Sequence, residues 1–105
     1  MTRIKVCGIT NIEDALVAIH AGADALGFVF YGLSPRYIMP EQAKEIISQL
    51  PPFVTSVALF VNEDEIMVRR TLEITGCSLL QFHGDETDEE CRKYCMPYVK
   101  AIRVS

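Results

Sequence analysis

Short apolar segments and amphipathic segments take turns along the whole chain, and nothing else in the sequence restricts the fold as tightly. The apolar segments are RIKVC (3–7), ALGFVFY (25–31), VTSVALFV (54–61), SLLQFH (78–83) and YVKAIRV (98–104). Each has the length of a strand and is too short for a helix of ordinary length. Between the first two, Ile12, Ala15, Leu16 and Ile19 fall on one helical face of residues 12–21, which Gly22 ends. Pro40 suits a first helical position, and Ala43, Ile46, Ile47 and Leu50 form a stripe behind it. A third helix holds Ile66, Met67 and Leu72 and closes at Gly76; a fourth runs from Thr87 and is ended by Pro97. Thr10 with Glu13, Asn62 with Glu65 and Thr87 with Glu90 read as helix openings.

Strands joined through helices of this length need crossover connections, so the sheet should be parallel. Right-handed crossovers then bring every strand's C-terminal end to one side, where functional groups of such folds collect. The groups that arrive there are Cys7, Tyr31 to Met39, Asn62, His83 to Glu86 and Arg103 to Ser105.

Strand parity selects among parallel architectures. Ile4 and Val6 face one way while Lys5 and Cys7 face the other, and Gln81 and His83 oppose Leu80 and Phe82. In the last segment Tyr98, Lys100, Ile102 and Val104 oppose Val99, Ala101 and Arg103. A flat sheet covered by helices on both sides would penalise mid-strand polar groups on either face. Lys5, Cys7, Gln81 and His83 therefore favour a barrel whose hollow opens onto a site, over a flavodoxin-like sheet binding a cofactor at its strand ends.

At 105 residues the chain is one domain, and half of it is hydrophobic. Fourteen acids against 10 bases leave a net charge of −4 with no basic cluster, which argues against nucleic-acid binding. No apolar run approaches the roughly 18 residues of a membrane span, and the first residues lack a signal-peptide pattern, so the expectation is a cytoplasmic protein. Four cysteines without a secretion signal are read as reduced thiols. Cys91 and Cys95 share a helical face, yet no second cysteine pair accompanies them, and neither a metal nor a cofactor is expected.

Three positions carry the chemistry. Cys7 ends the first strand; a free thiol has a pKa near 8.5, and Lys5 and the following helix start both favour its thiolate. As a small core hydrophobe, Cys7 would have no such role. Arg36 is the cation of a long connection, GLSPRYIMP (32–40), and suits an anionic group unless it is simply solvated. His83 opens HGDE at the end of strand four as a site-lining residue, with Asp85 and Glu86 read as charge for the next helix's start. His20 is expected on the surface and Cys77 in the packing.

KVCGIT (5–10), GADALGFVFYGLSPRYI (22–38), VALFVN (57–62) and LLQFHGDE (79–86) together resemble the phosphoribosylanthranilate isomerases, (βα)8-barrel enzymes of tryptophan biosynthesis. The resemblance runs in order over essentially the whole chain. It implies that Cys7 is the general base and that Arg36 helps hold a phosphorylated anthranilate–sugar substrate. The implied reaction is the Amadori rearrangement of N-(5-phosphoribosyl)anthranilate to its 1-deoxyribulose isomer. The expected substrate-binding set is Arg36, Lys5, Gln81, His83 and Arg103.

The resemblance also implies a general acid, an aspartate ending a sixth strand, and a phosphate site after strands seven and eight. The sequence here reaches a fifth strand, about four and a half βα units, where a full barrel typically needs about 250 residues. The expectation is a single N-terminal portion of a barrel over residues 1–105, incomplete for catalysis by itself. Its open edges suggest pairing with a complementary half barrel or with itself. The alternative function is a non-catalytic half-barrel module that dimerises through those edges.

Overall fold

Five parallel strands pair in the order in which the chain makes them, β1-β2-β3-β4-β5. A computed structural model describes residues 3–101. The strands are β1 (Lys5–Cys7), β2 (Ala25–Val29), β3 (Thr55–Phe60), β4 (Leu79–Phe82) and β5 (Tyr98–Lys100). The helices that alternate with them are α1 (Ile12–His20), α2 (Pro40–Ile47), α3 (Glu65–Thr75) and α4 (Asp88–Arg92). The strand order never reverses, so the switch point of a doubly wound sheet is missing among the described residues.

All four helices lie on one face. Ala15 and Ala18 of α1, Ala43 and Ile46 of α2, Val68 of α3 and Cys91 of α4 join one core with Leu26, Phe28, Ala58, Phe60, Leu80 and Phe82 of the strands. Phe30 stacks on Phe60 with ring centres 5.7 Å apart. Those strand residues alternate with Gly27, Val29, Val57, Leu59 and Gln81, which face the other way, as the period of two requires.

That second face is concave. Lys5 Nζ of β1 donates to Gln81 Oε1 of β4. In a flat sheet three strand spacings of about 4.8 Å would hold β1 and β4 about 14 Å apart, too far for these side chains to meet. Their contact is a direct mark of curvature, and it answers the choice between flat sheet and barrel in favour of a partial barrel.

Local signals misled in five places. Asn11, not Thr10, caps α1: its side chain accepts from Asp14 N at 2.8 Å, and it directly precedes the first helical residue. Asp64, not Asn62, caps α3 through Met67 N at 2.9 Å, because Asn62 is engaged elsewhere. Helix α4 stops at Arg92, ahead of Pro97, and Cys95 then adopts a positive φ of 53°. The buried stripe of α3 is Val68, Thr71 and Thr75, leaving Ile66 and Met67 exposed. A hydrophobicity pattern cannot find a stripe made of threonines, one of which returns its hydroxyl to the Thr71 carbonyl at 2.8 Å. Leu16 of α1 is likewise exposed, while Ala15 and Ala18 take the core positions. Thr87 caps α4, Pro40 starts α2 and Gly76 ends α3 as expected.

Candidate active site

The turn out of β1 is made by Gly8, whose φ of +88° lies where side chains are disfavoured. Gly8 N and Ile9 N both donate to the Gly27 carbonyl, at 3.0 and 3.1 Å, and Ile9 drops into the core. The strand therefore ends abruptly at Cys7, with its side chain on the hollow face.

Opposite Cys7 in the register stands Gly27 of β2. A Cβ at Gly27 would sit 2.9 Å from Cys7 Sγ, so the thiol occupies space that only a glycine leaves open. A glycine inside a strand costs stability, and here that cost has a local use.

The long connection after β2 folds back on its own strand. Ile38 N donates to the Val29 carbonyl at 3.1 Å, and the buried Ile38 side chain anchors the return. Ser34 shapes the bend: its carbonyl accepts from Tyr37 N at 3.2 Å and its hydroxyl from Arg36 N at 3.1 Å. Arg36 is thereby laid across Gly8, where Nη1 donates to the Cys7 carbonyl at 3.3 Å. A Cβ on Gly8 would fall 2.3 Å from Arg36 Cδ. Two glycines thus flank Cys7, one admitting its thiol and the other admitting the arginine.

A cleft of about 310 Å³ opens at this end of the strands. Cys7, Val29 and Leu59 contribute from β1, β2 and β3, Ser34 and Arg36 from the long loop, and Val61 and His83 from the ends of β3 and β4. Its floor is apolar, and its polar side chains are a thiol, a guanidinium, the hydroxyls of Tyr31 and Ser34, and an imidazole. Such a site suits a ligand with an apolar part and an anionic part.

The structure thus brings Cys7, Arg36 and His83 together. Lys5 and Gln81 do not line the cleft; they pair with each other within the hollow, and Lys5 also borders a depression at the strands' N-terminal ends. Arg103 lies outside the described residues. Among those residues no group of three or more His, Cys, Asp or Glu could hold a metal ion, and no helix is long and apolar enough to cross a membrane.

The other thiols sit in different surroundings. Burial pushes the Cys77 thiol up from its ordinary value, and it does the same to Cys91, where the nearby Glu86 charge adds to the rise. Cys7 is half-buried at the cleft and Cys95 is exposed.

Glu86 departs from the sequence reading. It does not serve the start of α4, which Thr87 caps; it is buried, and its carboxylate accepts from Asn62 N and Gly84 N. Its acidic neighbour Asp85 is exposed. No local signal shows such a link, because the chain separates Asn62 from Glu86 by a helix and a strand.

The family model for N-(5'phosphoribosyl)anthranilate (PRA) isomerase matches residues 4–105. N-(5'-phosphoribosyl)anthranilate isomerases from Nitrosospira multiformis and Pseudomonas syringae pv. syringae are 53% and 58% identical over 102 residues. These matches cover 97% of the chain, but only 49% and 50% of those two proteins. The chain spans about half the length of the curated relatives it matches. The crystal structure of phosphoribosyl anthranilate isomerase from Thermotoga maritima superposes with a TM-score of 0.96 at 48% identity, covering all of this chain and 52% of that one. A second crystal structure, of the isomerase in complex with reduced 1-(o-carboxyphenylamino)-1-deoxyribulose 5-phosphate, gives 0.95 at 48% identity, over 100% of this chain and 55% of the other.

Proposed function

The chain belongs to the N-(5'-phosphoribosyl)anthranilate isomerase family, and from that membership we propose that it carries the base and one anion-binding arm of an Amadori isomerase of tryptophan biosynthesis. The observation that carries the reading is the placement of the Cys7 thiol on the cleft wall, with the Arg36 guanidinium packed over the adjoining Gly8 and donating to the Cys7 carbonyl.

The reaction divides between two ends of a substrate. An acid protonates the furanose ring oxygen of N-(5-phosphoribosyl)anthranilate, the C1–O bond breaks, and the anthranilate nitrogen supplies the electron pair that makes an iminium at C1. That iminium acidifies the C2 proton. The Cys7 thiolate takes this proton, leaving an enolamine that tautomerises to the ketone, 1-(2-carboxyphenylamino)-1-deoxyribulose 5-phosphate. A thiolate is a base of modest strength, and it suffices because the iminium lowers the demand. Arg36 pairs with an anionic group of the substrate, and His83 borders the cleft as a further polar contact. Lys5 and Gln81, which pair with each other away from the cleft lining, take no direct part in this reading, and Arg103 lies outside the described residues.

The acid and the phosphate grip belong, by that resemblance, to later strands. We therefore expect residues 1–105 alone to give no turnover, and to gain it when a complementary half barrel is supplied. The test is made with that complementary half supplied. Cys7→Ser should lower kcat by at least about 10² while leaving thermal unfolding almost unchanged. Undiminished kcat in that variant would remove the assignment. The protein is expected in the cytoplasm, with no cofactor or metal and no nucleic-acid or membrane partner.

A second reading rests on the sheet's edges. Among the described residues β1 and β5 each have one strand neighbour, and Ile4, Val17 and Val99 stand exposed beside them. A half-barrel module pairing with itself through these edges would cover them. Light scattering of residues 1–105 should then report a dimer that Cys7→Ser leaves intact; a folded monomer sinks this reading.

A further inference from the structure

One side of the cleft is held by a buried carboxylate that the isomerisation does not use. Glu86 is 6% exposed. Its Oε2 accepts from Asn62 N at 2.6 Å and its Oε1 from Gly84 N at 2.9 Å. The link is doubled by the Asn62 side chain, whose Oδ1 accepts from Asp85 N at 2.8 Å. Among the described residues no lysine or arginine forms an ion pair with Glu86. Its charge is satisfied by main-chain N–H groups, a strong and direction-dependent arrangement in buried surroundings.

Backbone geometry restricts which residues can stand at these positions. Asn62 has a φ of 51°, a region that asparagine tolerates better than most residues. Gly84 passes so close that a Cβ there would lie 2.6 Å from Asn62 Oδ1. Asn62 directly follows Val61 and Gly84 directly follows His83, and both of those preceding residues line the cleft. The clasp therefore ties the loops after β3 and β4 at the point where each enters the site.

We propose that Glu86 is a positioning residue: its carboxylate locks these two loops into one rigid wall and so sets where His83 stands at the cleft. The wall's use to a substrate rests on the isomerase reading above; the wall itself does not. Two facing N–H donors need two acceptor oxygens. A glutamine at this position offers only one and turns an N–H₂ group against the other donor. A side chain that merely fills space would tolerate that exchange.

The experiment uses NMR on the full-length protein. In Glu86→Gln, amide-exchange protection at Asn62 and Gly84 should fall about tenfold or more, and the His83 ring signals should shift or broaden. Amides of Val6 and Leu26, on the far side of the sheet, should be unchanged. Asn62→Gly removes the side-chain link at a backbone position that suits glycine, and should move the His83 signals in the same sense by less. If Glu86→Gln does not fold, Asn62→Gly decides. Unchanged His83 signals, or a uniform loss of protection through the fold, would overturn the proposal. Binding of reduced 1-(o-carboxyphenylamino)-1-deoxyribulose 5-phosphate supplies the second arm, expected to weaken in both variants. If the parent protein fails to bind it while the exchange results hold, the clasp stands and the isomerase reading falls.

Discussion

The helix-covered face of the sheet and its hollow face are built from the same strands, one residue apart, and they are filled by opposite means. On the covered face Leu26, Phe28, Ala58, Phe60, Leu80 and Phe82 interlock with apolar or small helix residues. On the hollow face the same strands offer Gly27, Lys5 and Gln81 beside Cys7, Val57 and Leu59. Stability comes from the first face, where apolar area leaves water and packing is dense. The second face gives up packing for room and for polar groups, and the cleft opens at its upper rim. Alternation along a strand is how one segment does both.

Removing side chains from the two faces should separate the effects. The largest loss of stability is expected on the covered face: Phe28→Ala, at a fully buried position, should cost about 3–5 kcal/mol in denaturant unfolding. A cost under about 1 kcal/mol would mean the core is not where the energy lies.

Adding an atom to the hollow face should hurt function more than folding. Gly27→Ala places a methyl 2.9 Å from Cys7 Sγ and, on the proposed isomerase reading, should lower kcat by roughly tenfold to a hundredfold by displacing that thiol. Its unfolding midpoint should move much less than that of Phe28→Ala. Equal kcat to the parent would show that the thiol's place is not set by this glycine.

Lys5→Met tests the polar part of the hollow. It removes the ammonium bound to Gln81 and leaves the buried Gln81 amide oxygen without that donor, so denaturant unfolding should show a loss of about 1–3 kcal/mol.

The smallest effect is expected outside both faces. Hydrogen bonds from Arg69 at 2.8 Å and Lys93 at 3.2 Å hold the Glu65 carboxyl below its ordinary value of 4.5. A lowered folded-state value favours the fold at neutral pH, and that contribution disappears as the pH falls below about 4.5. Because the pair is exposed, Glu65→Gln should alter stability slightly, and only above that range, with the difference shrinking in high salt. Thermal melts at pH 7 and pH 3 check this.

Much of the fold is legible in the sequence. The five strands and four helices follow from apolar periodicity, and Lys5, Cys7 and Gln81 signalled a polar hollow through parity alone. Cys7, Arg36 and His83 were legible as cleft residues because each lies at a strand's C-terminal end or in the loop beyond it. The threonine stripe of α3 was hidden, since periodicity counts hydrophobic residues and Thr71 and Thr75 are not among them. Glu86 looked like ordinary negative charge ahead of a helix.

What the chain order of residues determined by itself is the alternation: which segments extend, which coil, and which side chains share a strand face. Those properties arise from contacts a few residues apart, so they can be read along the line. The curvature that lets Lys5 meet Gln81, the vacancy at Gly27 that receives the Cys7 thiol, and the hold of Glu86 on Asn62 were decided only by the tertiary structure. Each is a distance between segments that the sheet brings together, and no spacing within one segment encodes it.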